Sequence, residues 1–186
     1  MPSIVLLSGP IASGKTTLAD ELIKRHGFLR LKSSDHLKII CAERGLEVSR
    51  ANLQEVGDDL DGLTDYQWLV SDVAKPQMAA ASSQTRWLVD AVRKERQVEH
   101  FKAEFGQDVL HVHISAPEEV LRARYDKRRE AGGDHEGSTD YLEALEHPNE
   151  IASRALTEVA DINVDLTQID PVEAAARIVE RLTKGS

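Results

Sequence analysis

The 186-residue sequence holds one cysteine, Cys41. A lone cysteine excludes an intramolecular disulfide and a cysteine-rich zinc site, and it fits a reducing, cytoplasmic setting. Cys41 itself reads as filler on the apolar side of a helix rather than as a reactive thiol. Positive charge is also scarce: 23 Lys and Arg face 32 Asp and Glu, a net charge of −9. That deficit disfavours a large surface for nucleic-acid polymers or for membranes, but a small anion held by local positive groups remains open. No apolar run approaches a membrane-spanning length, and the N-terminus lacks the basic region of a secretion signal. Internal repeats and low-complexity tracts are missing as well. The expectation is a soluble, unprocessed, single-domain protein with a small-molecule partner, as monomer or homodimer, its 41% hydrophobic content being ordinary for a globular chain.

What is present begins at once. The apolar run Ile4-Val5-Leu6-Leu7 leads into Ser8-Gly9-Pro10-Ile11-Ala12-Ser13-Gly14-Lys15-Thr16-Thr17 and then into a helical stretch, Leu18 to Ile23. Strand, glycine turn and helix in that order are what a phosphate-binding loop needs. Gly9 and Gly14 fit the spacing at which glycines let successive backbone N–H groups curl round a phosphate, with the helix N-terminus adding its dipole. Gly9, Ala12, Ser13, Gly14, Lys15, Thr16 and Thr17 are thus the expected nucleotide-phosphate cradle. Lys15 would reach the β- and γ-phosphates and the Thr16 hydroxyl would sit on Mg²⁺. The competing reading is a glycine turn with an accidental lysine.

Further strands are expected at Phe28–Leu31, Arg86–Asp90, Val109–Ile114 and Asp161–Asp165. Helices are expected from Ser34 or Asp35 to about Arg44, over Arg50–Leu60, Tyr66–Ala81 (broken or kinked at Pro76), Glu95–Phe105, Glu118–Glu130, Tyr141–His147, Asn149–Val159 and Pro171–Leu182. Five strands alternating with helices predict an α/β fold, a three-layer α/β/α arrangement round a parallel sheet. Ligands of such sheets collect at the carboxyl ends of the strands, where Gly9, Asp35, Asp90 and Ser115 emerge.

Asp90 ends an apolar strand, as a magnesium-orienting acid does, although a solvated strand-end acid is the plain alternative. Ala91 follows it where a motor-type ATPase usually has a glutamate that activates water, so transfer to a bound acceptor is favoured over hydrolysis. Arg93 would lie at the mouth of the site, able to clamp a phosphate bidentately, unless it is a surface arginine of a charge run. Arg124 and Arg128, four apart, share one face of a basic helix, ahead of the glycine-rich segment Gly132–Ser138. They read as donor-facing groups at a hinge or as a solvated basic face. His111 and His113 alternate onto one strand face; core or strand-end placement is favoured over a metal site because no third ligand is identifiable. His135 and His147 read as exposed.

These residues together resemble the nucleoside monophosphate kinase group of phosphate-loop kinases, adenylate kinase-like and nearest to the phage-type deoxynucleoside monophosphate kinases. Gly9–Thr16 resembles the group's ATP loop, and Asp90-Ala91-Val92-Arg93 its Asp-Gly-x-x-Arg segment, with Ala91 in place of glycine. Arg50-Ala51-Asn52-Leu53-Gln54-Glu55-Val56-Gly57 followed by Trp68 resembles the phage-type Arg-x-x-Leu-Gln-x-x-Gly segment. Ser34-Asp35-His36-Leu37-Lys38 stands where adenylate kinases have Ser-Gly-Asp-x-x-Arg. The resemblance implies a phosphate-loop kinase fold with acceptor-covering helices over about 34–82 and a small helical lid over about 122–155. It also implies ATP and Mg²⁺ as cofactors, with Thr16 and Asp90 serving the metal. Arg93 would hold the acceptor phosphate, Arg124 and Arg128 the donor, and Arg154 would be a further lid arginine. Asp35 would touch the acceptor, as a base if a hydroxyl attacks. The expected function is transfer of the ATP γ-phosphate to a (deoxy)nucleoside monophosphate or a related small nucleotide. The alternatives are a kinase of a nucleoside or other small alcohol, and a nucleotide-binding switch.

Overall fold

The apolar run at the N-terminus becomes β1 (Ser3–Ser8), whose Ile4, Val5, Leu6 and Leu7 are wholly buried. A strand apolar on both faces needs cover on both, and β1 takes the middle of a five-stranded sheet of order β2-β3-β1-β4-β5. Its partners are β2 (Leu29–Arg30), β3 (Arg86–Asp90), β4 (Val109–Ser115) and β5 (Ile162–Asp165), and every pairing is parallel. The computed structural model describes residues 2–131 and 140–184, the side chain of Arg50 excepted. Gly132–Ser138 and His135, singled out above, lie outside the described residues.

Alternation along β1 divides the core in two. Ile4 and Leu6 face a cluster containing Trp68, Trp87, Val98 and Phe101, whereas Val5 and Leu7 face one containing Leu18, Leu22, Ala175 and Ile178. Both tryptophans of the chain therefore lie on one side of the sheet. The opposite side is covered by α1 (Lys15–His26) and α9 (Pro171–Lys184), which pack on each other. The first side is covered by α5 (Glu95–Phe105) and by the helices between β2 and β3: α2 (Ser33–Glu43), α3 (Arg50–Thr64) and α4 (Lys75–Ala80). Each fully buried Leu, Ile or Phe in these layers contributes roughly 2 kcal/mol of hydrophobic stabilisation. Cys41 is buried on α2. A third, smaller cluster joins Ala12 to Leu121 and Tyr125 of α6 (Glu118–Glu130) and to Tyr141, which opens α7 (Tyr141–Leu145). The short α8 (Pro148–Ala155) follows, then a 3₁₀ turn over Leu156–Val159. This is the three-layer phosphate-loop kinase fold. No helix among the described residues is long and apolar enough to cross a membrane.

Several local expectations are corrected. α2 starts at Ser33 with Lys32 as its flanking residue, so neither Ser34 nor Asp35 caps it and Asp35 sits in its first turn. The stretch expected as one helix from Tyr66 begins with Asp65 and Tyr66 in the left-handed region and continues as a π-helical turn over Leu69–Ala74. This turn runs directly into α4, whose first turn holds Pro76. The two helices expected on either side of Pro148 are present as α7 and α8, but Pro148 is the first residue of α8, and His147 caps it, its Nδ1 accepting from the Asn149 amide at 3.1 Å.

Candidate active site

The loop between β1 and α1 is shaped by backbone conformations that side chains resist. Gly9 has φ 138°, and a Cβ there would stand 2.2 Å from the Ile114 carbonyl oxygen of the neighbouring strand β4. Only glycine fits that approach. Gly14, at φ 104°, turns the chain into α1, and Ala12 is held at φ 62° although left-handed backbone costs it ~1 kcal/mol or more. The Lys15 ammonium curls back to donate to the carbonyls of Gly9 at 2.8 Å and Pro10 at 2.7 Å. Burial pulls its pKa down to about 8 against the upward pull of Glu150 and Asp90. The Ser13 hydroxyl is buried with no hydrogen-bond partner among the described residues, while Thr16 and Thr17 are exposed.

Beneath the loop lies a polar knot in an apolar sheet. The Ser8 hydroxyl is 2.7 Å from His111 Nε2 and 3.0 Å from His113 Nδ1. His111 Nδ1 faces the Val159 carbonyl at 3.4 Å, and a carbonyl only accepts, so Nδ1 carries the proton, Nε2 accepts from Ser8, and His113 Nδ1–H donates to it. Burial holds both imidazoles neutral, with pKa values lowered to about 4. Both are core histidines, and no cluster of three or more His, Cys, Asp or Glu able to hold a metal occurs among the described residues.

On the β3 side, register pairs Leu7 with Asp90, which sets this carboxylate beside the start of the loop, and the Asp90–Ala91 peptide is cis. Burial pushes the Asp90 pKa up, opposed first by Arg30 and then by Lys15. Arg30 approaches Asp90 at 3.4 Å and Asp20 at 3.7 Å. The turn after Asp90 is held by the buried Gln97, whose Oε1 accepts from the amides of Arg93 at 2.9 Å and Lys94 at 3.3 Å. Arg93 is exposed, and its charge reaches Lys15, Asp90 and Asp61. Deeper on this side His36 stacks on Trp68 at 5.9 Å, and Trp68 Nε1 donates to Asp61 at 2.7 Å.

On the other side Arg124 donates to the Ser13 carbonyl at 3.3 Å. With Ala12, Gly14, Thr17, Arg128 and Leu166 it lines a cavity of about 480 Å³. The charge of Arg128 reaches Lys15. The structure therefore brings Gly9–Thr17, Asp90, Arg93, Arg124 and Arg128 to one end of the sheet. Asp35 makes its ion pair elsewhere, with Lys38 at 3.2 Å. Arg154 faces two carboxylates, Glu118 at 2.9 Å and Glu150 at 2.8 Å, rather than the cavity. Sequence reasoning missed Arg30, Glu150, Ser153 and Gln97. An Arg closing a strand that ends in the site is a usable signal for Arg30, and nothing in local pattern marks the others.

The family described as AAA domain matches residues 5–144, from the first strand through the loop and beyond α6. The chain belongs to the AAA domain family. Within this AAA-domain family it is of the phosphate-loop, nucleotide kinase-like group. Adenylate kinase isoenzyme 1 of Cyprinus carpio is 28% identical over 138 residues, which is 70% of this chain and 66% of the carp enzyme. A UPF0200/UPF0201 protein of Archaeoglobus fulgidus is 27% identical over 184 residues, 97% of this chain and 56% of its own length. The chain thus spans about two thirds or less of these two relatives. A shikimate kinase structure from Acinetobacter baumannii, in complex with shikimate, covers 100% of this AAA-domain chain and 95% of its own, at 17% identity and TM-score 0.55; it shows the fold.

Proposed function

We propose that this protein transfers the γ-phosphoryl group of ATP, with Mg²⁺, to a nucleoside monophosphate or a closely related small nucleotide. The observation that carries the reading is the convergence of cations from opposite sides on one glycine loop: Arg124 and Arg128 from α6, and Arg93 after β3, with Lys15 between them. Charge neutralisation and alignment are what phosphoryl transfer asks of a protein. The adenylate kinases among the relatives agree with it.

The loop fits a polyphosphate. At Gly9 the bare α-carbon lets backbone run against backbone, and the orphaned Ser13 hydroxyl is a donor awaiting an acceptor. Thr16 and Asp90 would hold Mg²⁺, a cation that suits one or two side-chain ligands with phosphate and water completing its shell. When bound, the ion supplies charge neutralisation between the β- and γ-phosphates. Arg93 holds the acceptor's phosphate, Arg124 and Arg128 the donor's, and the segment 122–155 serves as lid over a site that the helices of 34–82 cover on the acceptor side.

A second reading, phosphorylation of a small alcohol, takes Asp35, exposed in the first turn of α2 that follows β2, as the base for the attacking hydroxyl. One assay separates the two. ADP release is measured across a panel of nucleoside monophosphates, nucleosides and small alcohols. Release that depends on a monophosphate supports the first reading. Release with an unphosphorylated acceptor alone replaces it with the second, and tight ATP binding with no acceptor dependence removes both.

A further inference from the structure

The leading half of the phosphate loop is held by a helix more than a hundred residues away. Glu150 of α8 accepts the Ile11 amide with both carboxylate oxygens, at 3.1 and 3.0 Å. One helical turn on, the Ser153 hydroxyl donates to the Gly9 carbonyl at 2.9 Å and lies 3.4 Å from the Gly9 amide. These contacts, with those of Lys15, occupy the backbone of residues 9–11 and leave the amides at the start of α1 for phosphate.

A carboxylate is an unexpected choice beside a site for a polyanion, because its charge opposes the ligand. Arg154 offsets part of this. Its Nε donates to Glu150 Oε1 at 2.8 Å, so a cation stands beside the carboxylate that presents its oxygens to the loop. The same guanidinium reaches Glu118 Oε2 at 2.9 Å, and Glu118 opens α6, the helix that carries Arg124 and Arg128. Tyr141 closes the network, donating to Glu118 Oε1 at 2.6 Å. A continuous path of charge-assisted hydrogen bonds thus runs from the Ile11 amide through Glu150, Arg154 and Glu118 to the first turn of α6.

We propose that Glu150 is a positioning residue for phosphoryl transfer, one that fixes the shape of the phosphate loop and ties it to the placement of the α6 arginines. This rests on the kinase reading above. It touches neither donor nor acceptor, so its removal acts on alignment: the loop still binds ATP, while the donor's terminal phosphate and the arginines no longer meet in one geometry.

The test is a double-mutant cycle between Glu150→Ala and Arg124→Ala, read as kcat and the KM for ATP with the acceptor found by the panel above, and with thermal melts confirming the folded fraction. Glu150→Ala is expected to lower kcat about 30-fold with the KM for ATP within about 3-fold of the parent. Glu150→Gln, which keeps an oxygen for Ile11, is expected to restore kcat to within about 3-fold. In the double variant the losses should fall short of multiplying by about 5-fold or more. Multiplying losses, an unchanged kcat in Glu150→Ala, or Glu150→Gln as damaged as Glu150→Ala would each overturn the proposal. If Glu150→Ala does not fold, Glu150→Asp takes its place, its shorter side chain drawing the carboxylate back from the Ile11 amide while keeping its charge.

Hydrogen exchange keeps this test separate from the kinase reading. In the nucleotide-free protein, Glu150→Ala should speed exchange of the Ile11 amide about 10-fold or more and leave the β5–α9 connection unchanged. A parent protein without acceptor-dependent turnover defeats the kinase reading alone; unchanged Ile11 exchange defeats the brace.

Discussion

Arg30 holds its guanidinium 3.4 Å from the Asp90 carboxylate, at the point where β2 and β3 deliver their ends to the site. Asp90 is largely buried, its side chain 12% exposed, and burial raises its pKa while Arg30 is the main force lowering it. Two outcomes are expected. Asp90→Asn should raise the Mg²⁺ concentration needed for half-maximal turnover about 10-fold, with nucleotide affinity within about 3-fold. Arg30→Ala should leave the carboxylate more easily protonated, so activity falls further on the acid side of neutrality than on the alkaline side. A magnesium titration and a pH–rate profile check these in turn.

Lys15 is charged at neutral pH against its own desolvation. Its folded pKa of about 8 lies below the unfolded value of 10.5, so the unfolded chain binds more protons between those limits and stability rises with pH across them. The charge costs on the order of 3 kcal/mol at pH 7. Lys15→Met removes it but leaves the Gly9 and Pro10 carbonyls without their donor, about 1 kcal/mol each. The net expectation is a variant about 1 kcal/mol more stable than the parent at pH 7, roughly 2–4 °C in Tm, with transfer abolished. The stability difference should reverse above about pH 10.5, where the parent lysine is neutral. Thermal melts against pH decide it.

The Ser8, His111 and His113 knot makes the fold acid-sensitive. Both histidines are neutral in the folded state and titrate near 6.5 when unfolded, so the unfolded chain takes up more protons between pH 6.5 and 4. Stability present above 6.5 should therefore be lost as the pH falls towards 4, by roughly 3 kcal/mol or more. Denaturant midpoints should track that window. His113→Asn, neutral throughout, should flatten the slope by about half.

The basic groups are expected to divide by substrate. Arg93→Ala should raise the acceptor KM about 10-fold and lower kcat while the KM for ATP stays within about 2-fold. Replacing Arg124 and Arg128 together should lower kcat about 100-fold and weaken ATP only several-fold, since contacts completed on closure act mainly on the transition state. Steady-state kinetics with each substrate varied in turn distinguishes these patterns. An unmoved acceptor KM in Arg93→Ala would transfer support to the small-alcohol reading.

The layered fold was legible because β1 is apolar on both faces and the middles of β3 and β4 are short buried runs, a pattern that a doubly covered parallel sheet accommodates. α5 and α6 run over the expected residues because helical periodicity and flanking signals agree there. The π-helical turn at Leu69–Ala74 was not legible, since nothing in its residues marks a wider turn. The loop's course could be read from Gly9 and Gly14, whose conformations side chains avoid. The grip of Glu150 and Ser153 on that loop could not, because it joins residues 139 and 144 apart through side chains that look like any others on a polar helix face. Arg154, expected as a further lid arginine, pairs with two carboxylates, which its place in the sequence does not announce.

Trp68 and Trp87 share one face of the sheet, 4% and 1% exposed, and Trp68 stacks on His36 among the helices between β2 and β3. The cluster under α1 and α9 contains no tryptophan. The molecule is therefore optically lopsided: tryptophan emission reports on the side of the sheet that α2, α3, α4 and α5 cover, and not on the side under α1 and α9. If the proposed kinase reading holds, an acceptor near the His36–Trp68 stack should change the colour and yield of emission, whereas a donor alone should change them little.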